Sequence, residues 1–297
     1  MKLLVSGSHG LVGRALIKSL LNRGETVSRL VREAPSGSND IEWHPNQDQI
    51  YAGRLNGFDA VVHLAGESIA TGRWSSEKKT RIRESRIKGT QLLSGALAQA
   101  SHPPRVFVSA SAIGFYGNRG DEVLTEQSAA GNDFLAGVCK EWEQSAELAA
   151  EKGIRVVKAR FGIILDKEGG ALAKMLPPLR MGIGGRIGDG KQWMSWIALA
   201  DVVGALEFVI ENQALAGPVN FVAPNPVTNA RFTSTLGRIL GRPTFLPVPA
   251  FGARLAFGEM ADALLLSSQR VEPKRLNETG FRFRYSNLND ALSEILR

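Results

Sequence analysis

The sequence predicts an α/β fold: a doubly wound parallel sheet with helices on both faces and a small C-terminal lobe. Short β-branched runs alternate with amphipathic stretches over roughly the first 220 residues, the pattern of consecutive right-handed βαβ units. A glycine-rich turn joins the first run to the first helical stretch. Two Gly- and Pro-rich segments, Leu165–Trp196 and Pro224–Arg297, interrupt the alternation and read as the lobe.

Taken in order, Lys2–Ser6 reads as a buried strand. It leads into a helix through Leu11, Val12, Ala15, Leu16 and Leu20 that stops near Gly24. Strands are expected at Thr26–Val31, Ala60–Leu64, Val106–Ser109, Arg155–Arg160 and Val219–Val222. Helices are expected over roughly Ser75–Ala100, Phe134–Lys152 and Leu199–Asn212. The main domain then takes residues 1–165 plus about 198–222, and the lobe about 166–197 and 223–297. That lobe would lie over the carboxyl ends of the strands, where open α/β sheets bind ligands.

Composition narrows the function. With 297 residues, 43% apolar and 22% charged, the chain is an ordinary globular mixture. Its single cysteine, Cys139, excludes an intramolecular disulfide, and four unpaired histidines make no case for a metal site. The net charge of +7 favours anionic ligands but is too dispersed to argue for nucleic acid. No stretch has 18 consecutive apolar residues; the run from Ala250 to Leu266 is broken by Arg254, Glu259 and Asp262. The expectation is a cytoplasmic protein with no membrane partner.

Gly7-Ser8-His9-Gly10-Leu11-Val12-Gly13 stands directly between the first strand and the first helix. Glycine permits the tight turn and the close approach of backbone to a pyrophosphate, while the helix N-terminus offers free N–H groups to the anion. An acid that would bind a ribose 2′-hydroxyl belongs about 20 residues further on. There the sequence reads Arg29-Leu30-Val31-Arg32, with no acid before Glu33. An arginine suits a 2′-phosphate, so the expected cofactor is NADP (NADPH), with Arg32 as its contact. Arg29, mid-strand, is either a surface residue or a second contact.

These motifs, with others, resemble the extended short-chain dehydrogenase/reductase superfamily of NAD(P)-dependent epimerases and dehydratases. Asp59-Ala60-Val61-Val62-His63-Leu64-Ala65-Gly66 is similar to its strand beneath the cofactor riboses, which implies that Leu64, Ala65 and Gly66 contact the cofactor. Ser85–Leu93 is similar to its NxxGTxxLL helix, with Arg86 in place of the Asn, and Ser109–Gly117 to its SSxxxYG strand end with one residue inserted. The stretches 64–67, 184–197, 224–229 and 273–283 together resemble the "epimerase family protein" subgroup. The resemblance implies a Rossmann-type fold, a homodimer and a serine that holds the substrate oxygen, the role matched by Ser111. It also implies a Tyr four residues before a Lys, on one helical face. That pair is missing: aligning Glu143 with the usual acid puts Leu135 and Cys139 at the two positions, with Lys140 about 100° away around the helix.

Two groups are candidates to fill the gap. Tyr116 is either a proton donor or a packed ring with its hydroxyl satisfied, and Cys139 is either a thiolate or a buried inert thiol. Ser111 itself either faces the active site or caps the strand end. The glycine-rich run Gly182–Gly190, followed by Trp193 and Trp196, reads as a lid that stacks a flat group and meets an anion through Arg186 or Lys191. Seven basic residues between Arg73 and Lys88 read as a solvated helix face. The leading expectation is an NADP-dependent oxidoreductase or epimerase acting on a small anionic or nucleotide-linked substrate. The alternative is an NADP(H)-binding sensor or scaffold without catalysis.

Overall fold

The structure, a computed structural model, describes residues 1–35 and 37–297. Its main sheet is built from β1 (Lys2–Ser6), β2 (Thr26–Val31), β3 (Asp40–His44), β4 (Gln49–Ile50), β5 (Ala60–His63), β6 (Val106–Ala112), β7 (Arg155–Phe161) and β8 (Gly217–Phe221). The spatial order is β8-β7-β6-β5-β1-β2-β3-β4, parallel except for the β3–β4 hairpin. The order reverses at β1, so its two neighbours, β2 and β5, leave a crevice at their carboxyl ends.

Alternate residues of the central strands feed opposite faces. Leu3, Val5, Val62 and Val108 belong to one core with helices α1 (Leu11–Asn22) and α6 (Leu199–Glu211). Leu4, Val61 and Phe107 belong to the other, with α2 (Ser76–Ala98). Because both faces are covered, the strands read as unbroken apolar runs. The expected helix over 134–152 is divided at Ala146 into α3 (Phe134–Ser145) and α4 (Glu147–Ala150). Strand β3 was not among the expected elements, although Ile41 and Trp43 alternate inward with the exposed Glu42 between them.

A third core lies beyond the sheet. Helix α5 (Gly170–Arg180), with Pro177 and Pro178 inside it, packs Leu172, Leu176 and Leu179 against Trp196, Phe232 and Leu236. Phe232 and Leu236 come from α7 (Asn229–Leu240), whose first turn is capped by Thr228. Short strand pairs stitch the segments together: Trp193–Met194 with Val227–Thr228, and Ile163–Leu165 with Trp196–Ala198. The C-terminal stretch also returns to the main sheet, where Leu276 joins the first core and Phe281 and Phe283 pack on it. Among the described residues, no helix is long and apolar enough to cross a membrane.

Candidate functional site

The turn after β1 is shaped by close backbone contacts. Gly7 has φ +69°, and a Cβ there would stand 2.7 Å from the carbonyl carbon of Leu64. A Cβ on Gly13 would stand 2.2 Å from the Gly7 carbonyl oxygen. Any side chain at either position collides with backbone, so the glycines let β1, its turn and α1 approach β5. The Gly10 N–H donates to the Gly7 carbonyl at 3.0 Å and closes the turn. Gly10 then caps α1 with no side-chain acceptor for the first-turn N–H groups. They are free for an anion.

A crevice of about 550 Å³ opens at this turn. Gly7, Ser8, His9, Gly10, Arg32, Leu64, Ala65 and Gly66 all line it, so the structure brings these expected residues together. Leu11, Val12 and Gly13 do not form its wall. Gly13 lies buried under Gly7, Val12 packs on the first core, and Leu11 meets Gly169. Arg32, just past β2, is exposed and forms no ion pair among the described residues. Arg29 has a different place: its guanidinium grips both carboxylate oxygens of the buried Asp40 at 2.7 Å.

Sequence reasoning missed several residues of this crevice. Trp43, Asn46, Arg81 and Lys88 also line it. The basic stretch is therefore not simply a solvated face. Lys78 is buried and pairs with Glu67 at 2.7 Å, Lys79 pairs with Glu259 at 2.8 Å, and Arg83 with Glu141. Helical spacing from Arg81 and Lys88 toward one side was the available signal. Beneath the crevice, His63 is fully buried with Nδ1 2.6 Å from Ser6 Oγ, and burial pushes its pKa down to about 4.

Ser111 and Tyr116 lie in a buried polar network behind the crevice. Ser111 Oγ donates to Glu143 at 2.7 Å, and Arg160 holds both oxygens of Glu143 at 2.7 and 2.8 Å. The Tyr116 hydroxyl donates to Asn220 Oδ1 at 2.7 Å and accepts from Arg160 at 3.0 Å. Tyr116 is 0% exposed and Ser111 2%. The Tyr116 ring is packed, and its hydroxyl is held between Asn220 and Arg160. Cys139 is likewise the inert thiol, its pKa pushed up to about 12 by burial and then by Glu143. Leu135 and Cys139, at the positions of the absent Tyr and Lys, pack beside Gly114.

The glycine-rich run expected as a lid is tied down at several points. Gly188 N–H donates to the Val248 carbonyl at 2.9 Å, Val248 N–H to the Arg186 carbonyl at 2.8 Å, and Ile187 N–H to Asn229 Oδ1 at 2.8 Å. The glycines serve packing, since a Cβ on Gly185 would stand 1.7 Å from the Leu246 carbonyl oxygen. Trp196 is core, and Trp193 donates to Asp121 with Arg270 over its ring. Arg186 lines a separate hollow with Arg231.

Comparison with known proteins gives the family. The NAD dependent epimerase/dehydratase family matches residues 3–222, and a domain of unknown function matches 248–295. An epimerase family protein of Mycobacterium bovis is 44% identical over 97% of this chain and 95% of its own length. The human epimerase family protein SDR39U1 is 37% identical over the whole of both chains. A crystal structure of the human protein (isoform 2) with NADPH superposes with a TM-score of 0.92 at 35% identity, covering 99% of each chain. Thermus thermophilus UDP-glucose 4-epimerase, at 19% identity and TM-score 0.78, shares the fold. On the match over residues 3–222, the chain belongs to the NAD dependent epimerase/dehydratase family.

Proposed function

We propose that this protein is an NADP(H)-dependent oxidoreductase or epimerase of the extended short-chain type, acting on a small anionic or nucleotide-linked substrate. The observation that carries the cofactor choice is Arg32, an unpaired guanidinium on the crevice wall where an acid would select NAD. The human relative crystallised with NADPH supports the same choice. The residues fit the group: the turn from Gly7 to Gly10 and the uncapped N-terminus of α1 would hold the pyrophosphate, Arg32 the 2′-phosphate, and Leu64 to Gly66 the floor. The dinucleotide, when bound, supplies a hydride donor or acceptor. This chain's own part is to bind and orient, with Ser111 as the candidate for holding the reacting oxygen once its hydroxyl proton turns from Glu143 toward the substrate.

A second reading is a sensor that binds NADP(H) without turnover. It is favoured by Leu135 and Cys139 at the positions of the Tyr/Lys pair and by the burial of both Ser111 and Tyr116.

Titration with NADPH and NADH in parallel, followed by nicotinamide fluorescence, tests the cofactor claim. Arg32→Ala is expected to weaken NADPH about tenfold or more, the scale of a charge-assisted hydrogen bond, and to leave NADH nearly untouched. Equal losses for both would remove the assignment. Oxidation of bound NADPH by any member of a carbonyl and sugar-nucleotide panel selects the enzyme over the sensor.

A further inference from the structure

One cation just behind the crevice wall at Gly66 is unaccounted for. Arg86 projects from α2 toward α3, and a Cβ on Gly66 would stand 3.5 Å from its guanidinium carbon. The guanidinium lies 5.1 Å over the Trp142 ring and donates to the carbonyl of Ile82 in its own helix at 2.9 Å. Among the described residues it forms no ion pair; Glu67, whose charge acts on it without contact, is held by Lys78 at 2.7 Å. Burial destabilises its charged form, and a guanidinium still stays protonated near neutral pH. The site thus holds a fixed, half-buried positive charge with most of its donors unassigned.

Topology says which half of a dinucleotide meets it. Arg32 follows β2 and marks the adenosine side of the reversal point. Gly66 follows β5, on the opposite side, next to the strand end of β6 where Gly114 meets Cys139. With the pyrophosphate at the turn between them, the nicotinamide half extends toward Gly66 and Arg86. The two redox forms differ there by one charge, because the oxidised ring is cationic and the reduced ring neutral.

We propose that Arg86 makes this site selective for the reduced cofactor: its guanidinium beside Gly66 disfavours the cationic ring of NADP⁺ and leaves NADPH bound in preference. The inference rests on the NADP(H) reading above. A single like charge at close range in a partly buried site accounts for a preference of about tenfold. It also gives a sensor something to sense, since occupancy would follow the NADPH fraction of the pool.

The test is the ratio of the two dissociation constants, Kd for NADP⁺ over Kd for NADPH, by calorimetry on the wild type, Arg86→Gln and Arg86→Lys. Adenosine 2′,5′-bisphosphate, which lacks the nicotinamide half, serves as a probe of the Arg32 side. The expected result is a ratio of about ten or more in the wild type and in Arg86→Lys, falling to near one in Arg86→Gln, with the bisphosphate bound equally by all three. A ratio unchanged by Arg86→Gln overturns the proposal and leaves the cofactor reading intact. Equal losses for NADPH, NADP⁺ and the bisphosphate would make Arg86 a packing residue and also overturn it. A wild type that binds neither dinucleotide removes the cofactor reading and this inference together.

Discussion

Arg32 and Arg160 show how differently the same side chain is used in two regions of this molecule. Arg160 is 3% exposed, grips Glu143 with two donors and the Tyr116 hydroxyl with a third, and lies 3.5 Å from the Phe115 ring centre. Arg32 stands exposed on the crevice wall with no ion-pair partner among the described residues. Within the buried network both oxygens of Glu143 and the Tyr116 hydroxyl are already paired, so it specifies structure. The crevice leaves its N–H groups and guanidinium open, which suits an anion that comes and goes. Residue type alone does not separate the two roles. Whether the donors are already taken does.

The largest effect expected from breaking this contrast is in the network. Arg160→Ala strands Glu143 without its cation and should cost about 3–5 kcal/mol, read by urea denaturation. NADPH affinity of the folded protein should be unchanged. A collapse of affinity with stability intact would mean that the network belongs to the binding site and that the contrast is wrong.

His63 lies between the two regions and ties stability to pH. Its folded pKa of about 4 is below the ordinary 6.5, so the unfolded chain binds the proton more readily. The stabilisation is complete above pH 6.5 and is lost as pH falls from 6.5 toward 4, reaching about 3 kcal/mol. Urea midpoints at pH 7 and pH 4.5 should therefore fall further in the wild type than in His63→Gln. Parallel declines would show that His63 does not control this window.

Gly13→Ala sharpens the crevice side. Its Cβ would meet the Gly7 carbonyl oxygen, so the turn must move, at about 1–3 kcal/mol of strain. NADPH and NADH binding should both be lost, unlike the selective loss expected for Arg32→Ala. Retention of either nucleotide would show that the turn is not the pyrophosphate cradle. The smallest effect is expected for Ser111→Ala, about 0.5–1.5 kcal/mol for one hydrogen bond to Glu143. Unchanged turnover on any substrate found would make Ser111 part of the buried network alone.

Much of the fold was legible because strands buried on both faces and helices with one apolar face leave local periodic traces. Lys2–Ser6 and Thr26–Val31 were expected with the bounds they have. Strand β3 was missed because five residues with only Ile41 and Trp43 apolar inward give a weak period, and its acid, Asp40, is kept buried by Arg29 across the sheet. The glycine turn was legible in the same way as the strands, since its chemistry is written in consecutive residues.

Local sequence therefore carries the alternation of strands and helices, the turn after β1, the lack of an acid from Arg29 to Arg32 and the missing Tyr/Lys pair. Which polar groups meet depends on the assembled fold. Ser111, Glu143, Arg160, Tyr116 and Asn220 are up to 109 residues apart in numbering, and nothing local says that they satisfy one another. Arg81, Arg86 and Lys88 looked like one charged face, yet helix packing sends Arg86 inward and leaves the other two on the crevice. The physical reason is range. Backbone geometry and burial periodicity act over a few residues, while pairing of charges and desolvation depend on which surfaces the fold brings together.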